Sequence, residues 1–309
     1  MKRNRGAKHM QETAEWIAVD LSNGCLRVWI MGANGEPIAQ AVTDKSAVIE
    51  THSGFETALL ALVAPYLAQD HRVTCVICSG VAGWNVPYVA TPCTPPQRVI
   101  AASPAFADPR IKLYIPPALK QMSPPDLMGG EATTIAGLLR SQPEFDGVLC
   151  MPGLHTKWVH ISAGEIVSFQ TSMTGALFDL LSQQSVLQQS VAGTAWDAQS
   201  FLTGVGDAMG RPQAIASQLF GIHAATSLLD MSGGAARARL SGLLIGLELA
   251  GTRPYWLGRH VAIIGVGDTA LHYRTALAEQ GVQGQLLEAP PLVLAGLCAS
   301  YESTQNSAK

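Results

Sequence analysis

The sequence predicts an α/β protein made of two lobes. Two segments, residues 16–30 and 148–162, are typical of β-hairpins with apolar strands and a polar turn. Each hairpin opens one half of the chain. The length of 309 residues also fits two domains, since a domain usually has roughly 100–200 residues. The predicted boundaries are 14–145 for the first lobe, 146–301 for the second, and 1–13 and 302–309 for disordered tails.

The first hairpin ends its first strand in an acid. Asp20 follows an apolar run, and a small polar turn, Ser22, Asn23 and Gly24, comes before the second strand. A carboxylate at the end of a buried strand, beside exposed backbone N–H groups, suits a hydrated Mg²⁺ next to a nucleotide. The alternative is an ordinary hairpin in which Asp20 only accepts hydrogen bonds from its own turn.

The second hairpin has a more basic turn. An apolar strand at residues 148–151 ends at Gly153, and His155, Thr156 and Lys157 follow. A tight turn that offers backbone N–H groups, a hydroxyl and an ammonium is suited to binding phosphate. The alternative for Lys157 is a solvated position at the tip of the turn.

Apolar periodicity predicts the other elements in chain order. The Pro-rich segment 87–109 is expected to be irregular. The predicted helices are 55–68, 130–139, 175–187, 194–206, 212–230, 233–250, 269–280 and 291–301. The predicted further strands are 37–43, 73–79, 113–116, 260–264 and 284–287.

Charge and cysteine usage exclude several classes of protein. The net charge is −3 and no long basic run occurs, so neither nucleic acid nor an anionic membrane surface is expected as a partner. No apolar stretch reaches the length of about 18 residues that suggests a membrane span. Cys75 and Cys78 would face opposite sides of a strand. We therefore expect reduced thiols and a cytoplasmic protein.

Six segments of the chain together resemble a known family of kinases. They are 20–29 (DLSNGCLRVW), 128–133 (MGGEAT), 152–159 (PGLHTKWV), 169–178 (FQTSMTGALF), 240–246 (LSGLLIG) and 264–277. In this order they resemble the 2-keto-3-deoxygalactonate kinases, also called 2-dehydro-3-deoxygalactonokinases. The resemblance implies an α/β fold of two actin-like (ribonuclease H-like) lobes. It also implies an enzyme of galactonate catabolism that uses ATP and Mg²⁺ to phosphorylate the primary hydroxyl of 2-keto-3-deoxygalactonate or a close sugar acid.

The resemblance also assigns roles to individual residues. Glu131, at a predicted helix start, matches the general base, with Asp126 as a nearby alternative; a first-turn acid favoured by the helix dipole is the plainer interpretation of Glu131. The phosphates would lie on the two turns, with Mg²⁺ near Asp20. Gly265 and Gly267 would form a loop on the adenosine side. We expect Asp20, Glu131, Gly153 and Gly265 to meet in one cleft.

The substrate's carboxylate requires a cation. Arg27, Arg98 and Lys157 are the candidates, and the sequence does not choose among them. Arg27 could instead form a salt bridge within its sheet. Thr174, in the segment that resembles the family's Thr-Gly motif, is assigned to the substrate side.

Replacements within the family motifs leave alternatives open. They are Ser22 for Gly, Gly129 for Arg, Ala132 for Glu, Leu154 for Thr and Ala176 for Glu. A second hypothesis is therefore a weak or inactive paralogue that binds a sugar acid or nucleotide as a sensor or assembly partner. A third is a kinase for a different sugar acid. The exact acceptor and the oligomeric state stay open, with a homodimer as one candidate.

Overall fold

The computed structural model describes residues 12–22, 25–43, 51–68, 72–80, 86–95, 98–102, 106–265 and 267–307, with the backbone alone at residues 22 and 307. Of the predicted tails, residues 1–11, 308 and 309 lie outside the described part. None of the described helices is long and apolar enough to cross a membrane.

Strands and helices alternate along most of the chain. The strands are β1 (Trp16–Ser22), β2 (Cys25–Met31), β3 (Pro37–Thr43), β4 (Thr74–Ser79), β5 (Tyr88–Ala90), β6 (Ile100–Ala101), β7 (Ile111–Ile115), β8 (Ala118–Met122), β9 (Pro125–Met128), β10 (Gly147–Met151), β11 (Thr156–Ser162), β12 (Glu165–Ser172), β13 (Val261–Ile264) and β14 (Gln285–Leu287). The helices are α1 (His52–Val63), α2 (Glu131–Ser141), α3 (Thr174–Gln184), α4 (Ala198–Gly210), α5 (Ile215–Leu228), α6 (Gly233–Gly251), α7 (Arg253–Trp256), α8 (Gly267–Ala278) and α9 (Ala289–Ser307), with short 3₁₀ helices at Ala64–Tyr66 and Pro212–Ala214.

The two large sheets repeat one order of strands. The N-terminal sheet runs β3-β2-β1-β4-β7-β6 and the C-terminal sheet runs β12-β11-β10-β13-β14. In each sheet the antiparallel hairpin comes first, and its first strand pairs in parallel with the next strand, β4 or β13. The predicted pair of related α/β lobes is confirmed, and both hairpins lie where the sequence indicated them.

A third, small sheet was not predicted. It consists of β5, β8 and β9, and β5 and β6 both lie in the Pro-rich segment that was expected to be irregular. That expectation is wrong for these strands, because they have only three and two residues and offer too few positions for an alternating pattern.

Two helices come from one half of the chain but pack on the sheet formed by the other half. Helix α9 packs on the N-terminal sheet, where Val293 and Leu297 share a core with Trp16 and Trp29. The rings of Trp16 and Tyr301 stack with centroids 4.5 Å apart. Helix α2 packs on the C-terminal sheet, where Ile135 and Leu138 join a core that contains Leu149 and Val159.

This exchange corrects the predicted boundaries of the lobes. Helix α2 was assigned to the N-terminal lobe but packs on the C-terminal sheet. Residues 289–301 were assigned to the C-terminal lobe, but Val293 and Leu297 pack on the two tryptophans of the N-terminal sheet, while Leu292 packs against the C-terminal core. The predicted tail 302–309 is wrong over residues 302–307, which continue α9. Glu302 forms two hydrogen bonds with Arg140 of α2, at 2.7 and 2.8 Å, and so helps to hold the last turns in place.

Helices α2 and α9 cross at two glycines. A Cβ on Gly137 would collide with the backbone of α9 at Leu292, and a Cβ on Gly296 would collide with the carbonyl of Thr133 in α2. The absence of side chains at these positions therefore sets the distance between the helices.

We predict that Gly296→Ala lowers the free energy of unfolding by about 1–3 kcal/mol, the usual cost of overpacking a close contact. The new methyl group meets a backbone carbonyl, which cannot rotate away as a side chain could. Thermal denaturation of the purified variant measures this change.

Gly206→Ala is the matched control, since Gly206 is a helical glycine in α4 with no heavy atom within 4 Å of an added Cβ. We expect this variant to keep its stability or to gain up to about 1 kcal/mol from higher helix propensity. Equal melting temperatures for both variants would contradict the close crossing.

Candidate active site

A cleft of about 1540 Å³ lies between the two lobes. Asp20 at the end of β1, Glu131 at the start of α2, Gly153 after β10 and Gly265 after β13 all line it. The expectation that these four residues meet in one cleft is confirmed. The strand order explains the meeting, because the carboxyl ends of the parallel strands in both sheets face the cleft.

Asp20 is a buried carboxylate at the edge of this cleft. Asp20 is only 5% exposed. In the sheet it lies opposite Arg27 on β2 and Ser79 on β4. Of the turn that follows it, Ser22 closes β1, and Asn23 and Gly24 lie outside the described residues.

Glu131 is held at the cleft by backbone contacts around it. The Gly129 N–H donates to Glu131 Oε2 at 3.0 Å. Before it, Gly130 packs so closely on the end of β4 that a Cβ would lie 2.6 Å from the Gly80 nitrogen. Ser79 Oγ donates to the Gly130 carbonyl at 3.1 Å. The start of α2 is therefore fixed against the N-terminal sheet, and the Glu131 carboxylate follows it.

Asp126, the alternative general base, is occupied elsewhere. Its Oδ1 accepts from Thr171 Oγ1 at 2.6 Å and from the Leu127 N–H at 2.7 Å, and its Oδ2 accepts from the Thr171 N–H at 2.6 Å. These contacts join β9 to β12. Asp126 is not among the residues that line the cleft, so of the two candidate acids only Glu131 does.

Lys157 lines the cleft as a largely buried ammonium. The residue is 6% exposed, so the interpretation as a solvated tip residue is wrong. Lys157 Nζ donates to the Leu127 carbonyl and to Thr171 Oγ1, each at 2.7 Å. An ammonium has three N–H donors, so one remains beyond these two bonds.

The other two candidate cations lie elsewhere. Arg98 is exposed and lines a separate groove of about 660 Å³ that also contains Arg140 and Glu302, so its assignment to the substrate is wrong. Arg27 is not among the residues lining the cleft. Its guanidinium lies 5.8 Å from the Trp29 ring centroid, and its Nε is buried with no hydrogen-bond partner among the described residues.

Two threonines assigned to ligands bind a buried network instead. Thr156 is fully buried, with its hydroxyl 2.9 Å from the Tyr273 hydroxyl, which corrects its side-chain role at a phosphate. The Thr174 hydroxyl donates to Glu248 Oε2, although the residue itself lines the cleft. Both side chains point into the C-terminal lobe because buried polar groups need partners there.

Glu248 is the centre of that network and was missed in the sequence. It also accepts from Trp158 Nε1 at 2.7 Å and from the Tyr273 hydroxyl at 2.8 Å. Burial raises the pKa of the Glu248 carboxyl, while the hydrogen bonds from Thr174, Trp158 and Tyr273 oppose the rise. The available signal was a single acid within the apolar stretch of α6.

The C-terminal side of the cleft is lined by aromatic rings. Trp196 stacks on His272 with ring centroids 3.9 Å apart, and burial lowers the pKa of His272. Arg237 lies over the Phe178 ring at 4.9 Å. Gly265 lines this region together with Asp268 and Thr269, whereas Gly267 begins α8 and is not among the lining residues.

Comparison with known proteins gives one consistent result. Residues 22–300 match the family model described as 2-keto-3-deoxy-galactonokinase. The probable 2-dehydro-3-deoxygalactonokinase DgoK1 of Rhizobium meliloti (strain 1021) is 31% identical, over 94% of this chain and 98% of its own. The 2-dehydro-3-deoxygalactonokinase of Escherichia coli (strain K12) is 29% identical over 87% of this chain and 91% of its own.

A solved structure agrees with both matches. A Sinorhizobium meliloti protein assigned as a 2-dehydro-3-deoxygalactonokinase superposes with a TM-score of 0.82 at 30% identity. The superposition covers 93% of this chain and 96% of that one.

We predict that Asp126→Ala lowers the free energy of unfolding by about 1–3 kcal/mol, because it leaves the Thr171 N–H without its acceptor. Urea denaturation measures the change. Asp146→Ala is the control, since Asp146 is exposed and accepts one bond from the Ser162 hydroxyl; its effect should stay within about 0.5 kcal/mol. Equal stability of the two variants would show that Asp126 does not join β9 to β12.

Proposed function

We infer that this chain, which belongs to the 2-keto-3-deoxy-galactonokinase family, is an ATP-dependent kinase that phosphorylates 2-keto-3-deoxygalactonate. It is a phosphotransferase of carbohydrate metabolism with two actin-like lobes. We assign this reaction to the cleft because Asp20, Glu131 and the Gly153 turn all line it.

The phosphates of ATP are proposed to lie on the second turn. Residues 153–155 line the cleft between β10 and β11, and their backbone N–H groups can bind the β- and γ-phosphates. Helix α3 begins beside this turn, with the Ala176 N–H donating to the Leu154 carbonyl at 3.0 Å. The start of a helix favours an anion. The nucleoside would then extend past Gly265 toward the aromatic rings of the C-terminal lobe.

Mg²⁺ fits the site as an ion shared between the protein and the phosphates. The described residues contain no group of three or more His, Cys, Asp or Glu side chains that could hold a metal. Mg²⁺ usually binds one or two carboxylates, substrate phosphates and water, and Asp20 is a buried carboxylate at the cleft. We propose that Asp20 holds the ion and that the first turn, Ser22 to Gly24, contributes to the phosphate site. When bound, the ion neutralises charge on the phosphates.

Glu131 is proposed as the general base. Its carboxylate lies at the start of α2, and the Gly129 N–H fixes one of its oxygens. The carboxylate takes the proton from the primary hydroxyl of the sugar acid while that oxygen forms a bond with the γ-phosphorus and ADP leaves. Closure of the lobes would exclude water from this step and limit hydrolysis of ATP.

Lys157 is proposed as the cation for the substrate's carboxylate. It lies in the cleft, whereas Arg98 lies in the other groove and Arg27 is off the cleft wall. Its two bonds to Leu127 and Thr171 hold the ammonium in one position and leave one N–H for a ligand. Burial strengthens a charge-assisted bond at this position.

Compartment and assembly follow as proposals from chemistry. All six cysteines are free thiols, which suits a reducing compartment, and the reaction consumes ATP. We therefore propose a cytoplasmic enzyme. A homodimer stays a proposal as well.

We predict that Glu131→Gln lowers the rate of phosphoryl transfer about 10²–10⁴-fold, the usual contribution of a general base. Glutamine keeps the shape and the bond to Gly129 but cannot take the proton, so the affinity for ATP should not change. Single-turnover transfer to 2-keto-3-deoxygalactonate measures the chemical step.

Glu144→Gln, at an exposed position, is the control for losing one carboxylate, and we expect it to transfer at the rate of the unmutated protein. A near-normal rate in Glu131→Gln would remove Glu131 as the base. Binding of ATP without transfer to any sugar acid by the unmutated protein would favour the inactive paralogue.

We predict that Lys157→Met raises the KM for the sugar acid roughly 10–100-fold, the scale of one lost hydrogen bond to a charged group. Methionine keeps the apolar stem but has no ammonium. Arg98→Ala should leave the KM unchanged, because Arg98 lies in the other groove. A rise in the KM for ATP alone would indicate that Lys157 binds the phosphates of ATP and not the substrate's carboxylate. Steady-state kinetics with each substrate varied separately distinguishes these results.

A further inference from the structure

Glu248 is a buried acid that the proposed reaction does not use. Three side chains donate hydrogen bonds to it: Trp158 Nε1 to Oε1, and the hydroxyls of Thr174 and Tyr273 to Oε2. The residue is 6% exposed. Its partners come from β11, the first residue of α3 and α8, while Glu248 itself lies on α6. One carboxylate therefore joins four elements of the C-terminal lobe.

Two of these elements flank the turn at residues 153–155. Strand β11 begins directly after the turn, and α3 begins against it. A Cβ on Gly175 would collide with the Gly153 carbonyl, and the Ala176 N–H donates to the Leu154 carbonyl at 3.0 Å. Any shift of the start of α3 would therefore move the turn.

The geometry points to Glu248 as a positioning residue: through Thr174 it fixes the start of α3, and thereby the turn that binds the β- and γ-phosphates of ATP. This role rests on the proposed function, because it takes residues 153–155 as the phosphate site. Glu248 does not touch a ligand itself. Thr174 lines the cleft, but its hydroxyl points inward to Glu248.

A carboxylate suits this position better than an amide. Its two oxygens are acceptors only and can receive all three donors, whereas a glutamine replaces one acceptor oxygen with an NH₂ donor. If that NH₂ faced Trp158 Nε1, which can only donate, a donor would meet a donor. If it faced Thr174 and Tyr273, both hydroxyls would have to turn from donating to accepting. In a buried site such a mismatch is not relieved by water, so the start of α3 would shift.

The first test compares ligands that reach the turn with one that does not. We expect Glu248→Gln to raise the Kd for a non-hydrolysable ATP analogue with Mg²⁺ roughly tenfold, the scale of one charge-assisted hydrogen bond. The Kd for AMP should stay unchanged, because AMP has no β- or γ-phosphate. Calorimetric titration measures both values without any phosphoryl transfer. In the kinase assay the KM for ATP should rise and the KM for the sugar acid should not.

The second test replaces the partner. Thr174→Val removes the hydroxyl and should raise the Kd for the ATP analogue by a similar factor, while Thr174→Ser keeps the hydroxyl and should restore near-normal binding. The double variant Glu248→Gln/Thr174→Val should bind no more weakly than either single variant, since both remove the same contact. If Glu248→Gln does not fold, the two Thr174 variants still decide the question.

Leu249→Ala is the control for a general loss of stability. Leu249 is the next residue of α6 and is fully buried, but it packs in the apolar core and its side chain is outside the network. We expect it to lower the melting temperature and to leave both Kd values unchanged below that temperature.

Three results would overturn the role of Glu248. They are an equal loss of affinity for AMP and the ATP analogue, normal binding of the analogue by Thr174→Val, and additive effects in the double variant. Failure of the proposed function would look different, because the unmutated protein would then bind the analogue but transfer no phosphate to the sugar acid.

Discussion

The close crossing of α2 and α9 is the constraint on which the cleft depends. Each helix packs on the sheet of the other lobe, and Gly137 and Gly296 let their backbones meet. The start of α2 carries Glu131 to the floor between the lobes, where Gly130 packs directly on the end of β4. The position of the proposed base therefore results from contacts with both lobes, and neither lobe alone could build it.

Two polar networks hold residues that line the cleft. In the first network, Lys157 donates to the Thr171 hydroxyl, which donates to Asp126. Asp126 therefore positions the hydroxyl that binds Lys157. In the second network, Glu248 accepts a hydrogen bond from the Thr174 hydroxyl and so positions Thr174. In both, an acid held by several hydrogen bonds orients a residue that lines the cleft. Such networks are rigid only when every member has a partner, which explains why these acids are held by several bonds.

The sequence predicted the parts that depend on local patterns. The hairpins followed from apolar runs and turn residues, and the strand ends placed Asp20, Gly153 and Gly265 at the cleft. It favoured Glu131 as the base but could not exclude Asp126, because the contacts that hold Asp126 join β9 to β12, which lie far apart in the chain. It placed α9 in the wrong lobe for the same reason, since an apolar helix face does not specify the sheet that it covers.

The replacements within the family motifs differ in whether the new residue lines the cleft. Ala132 packs in the core beneath α2, and neither Ala132 nor Ala176 is among the residues that line the cleft. Leu154 does line the cleft, but a backbone N–H at the turn is independent of the side chain. Gly129 is different: it has no side chain in the cleft, and its N–H orients Glu131. The replacement of an arginine by Gly129 removes a positive charge next to Glu131, which is consistent with our proposal that Lys157 binds the substrate's carboxylate.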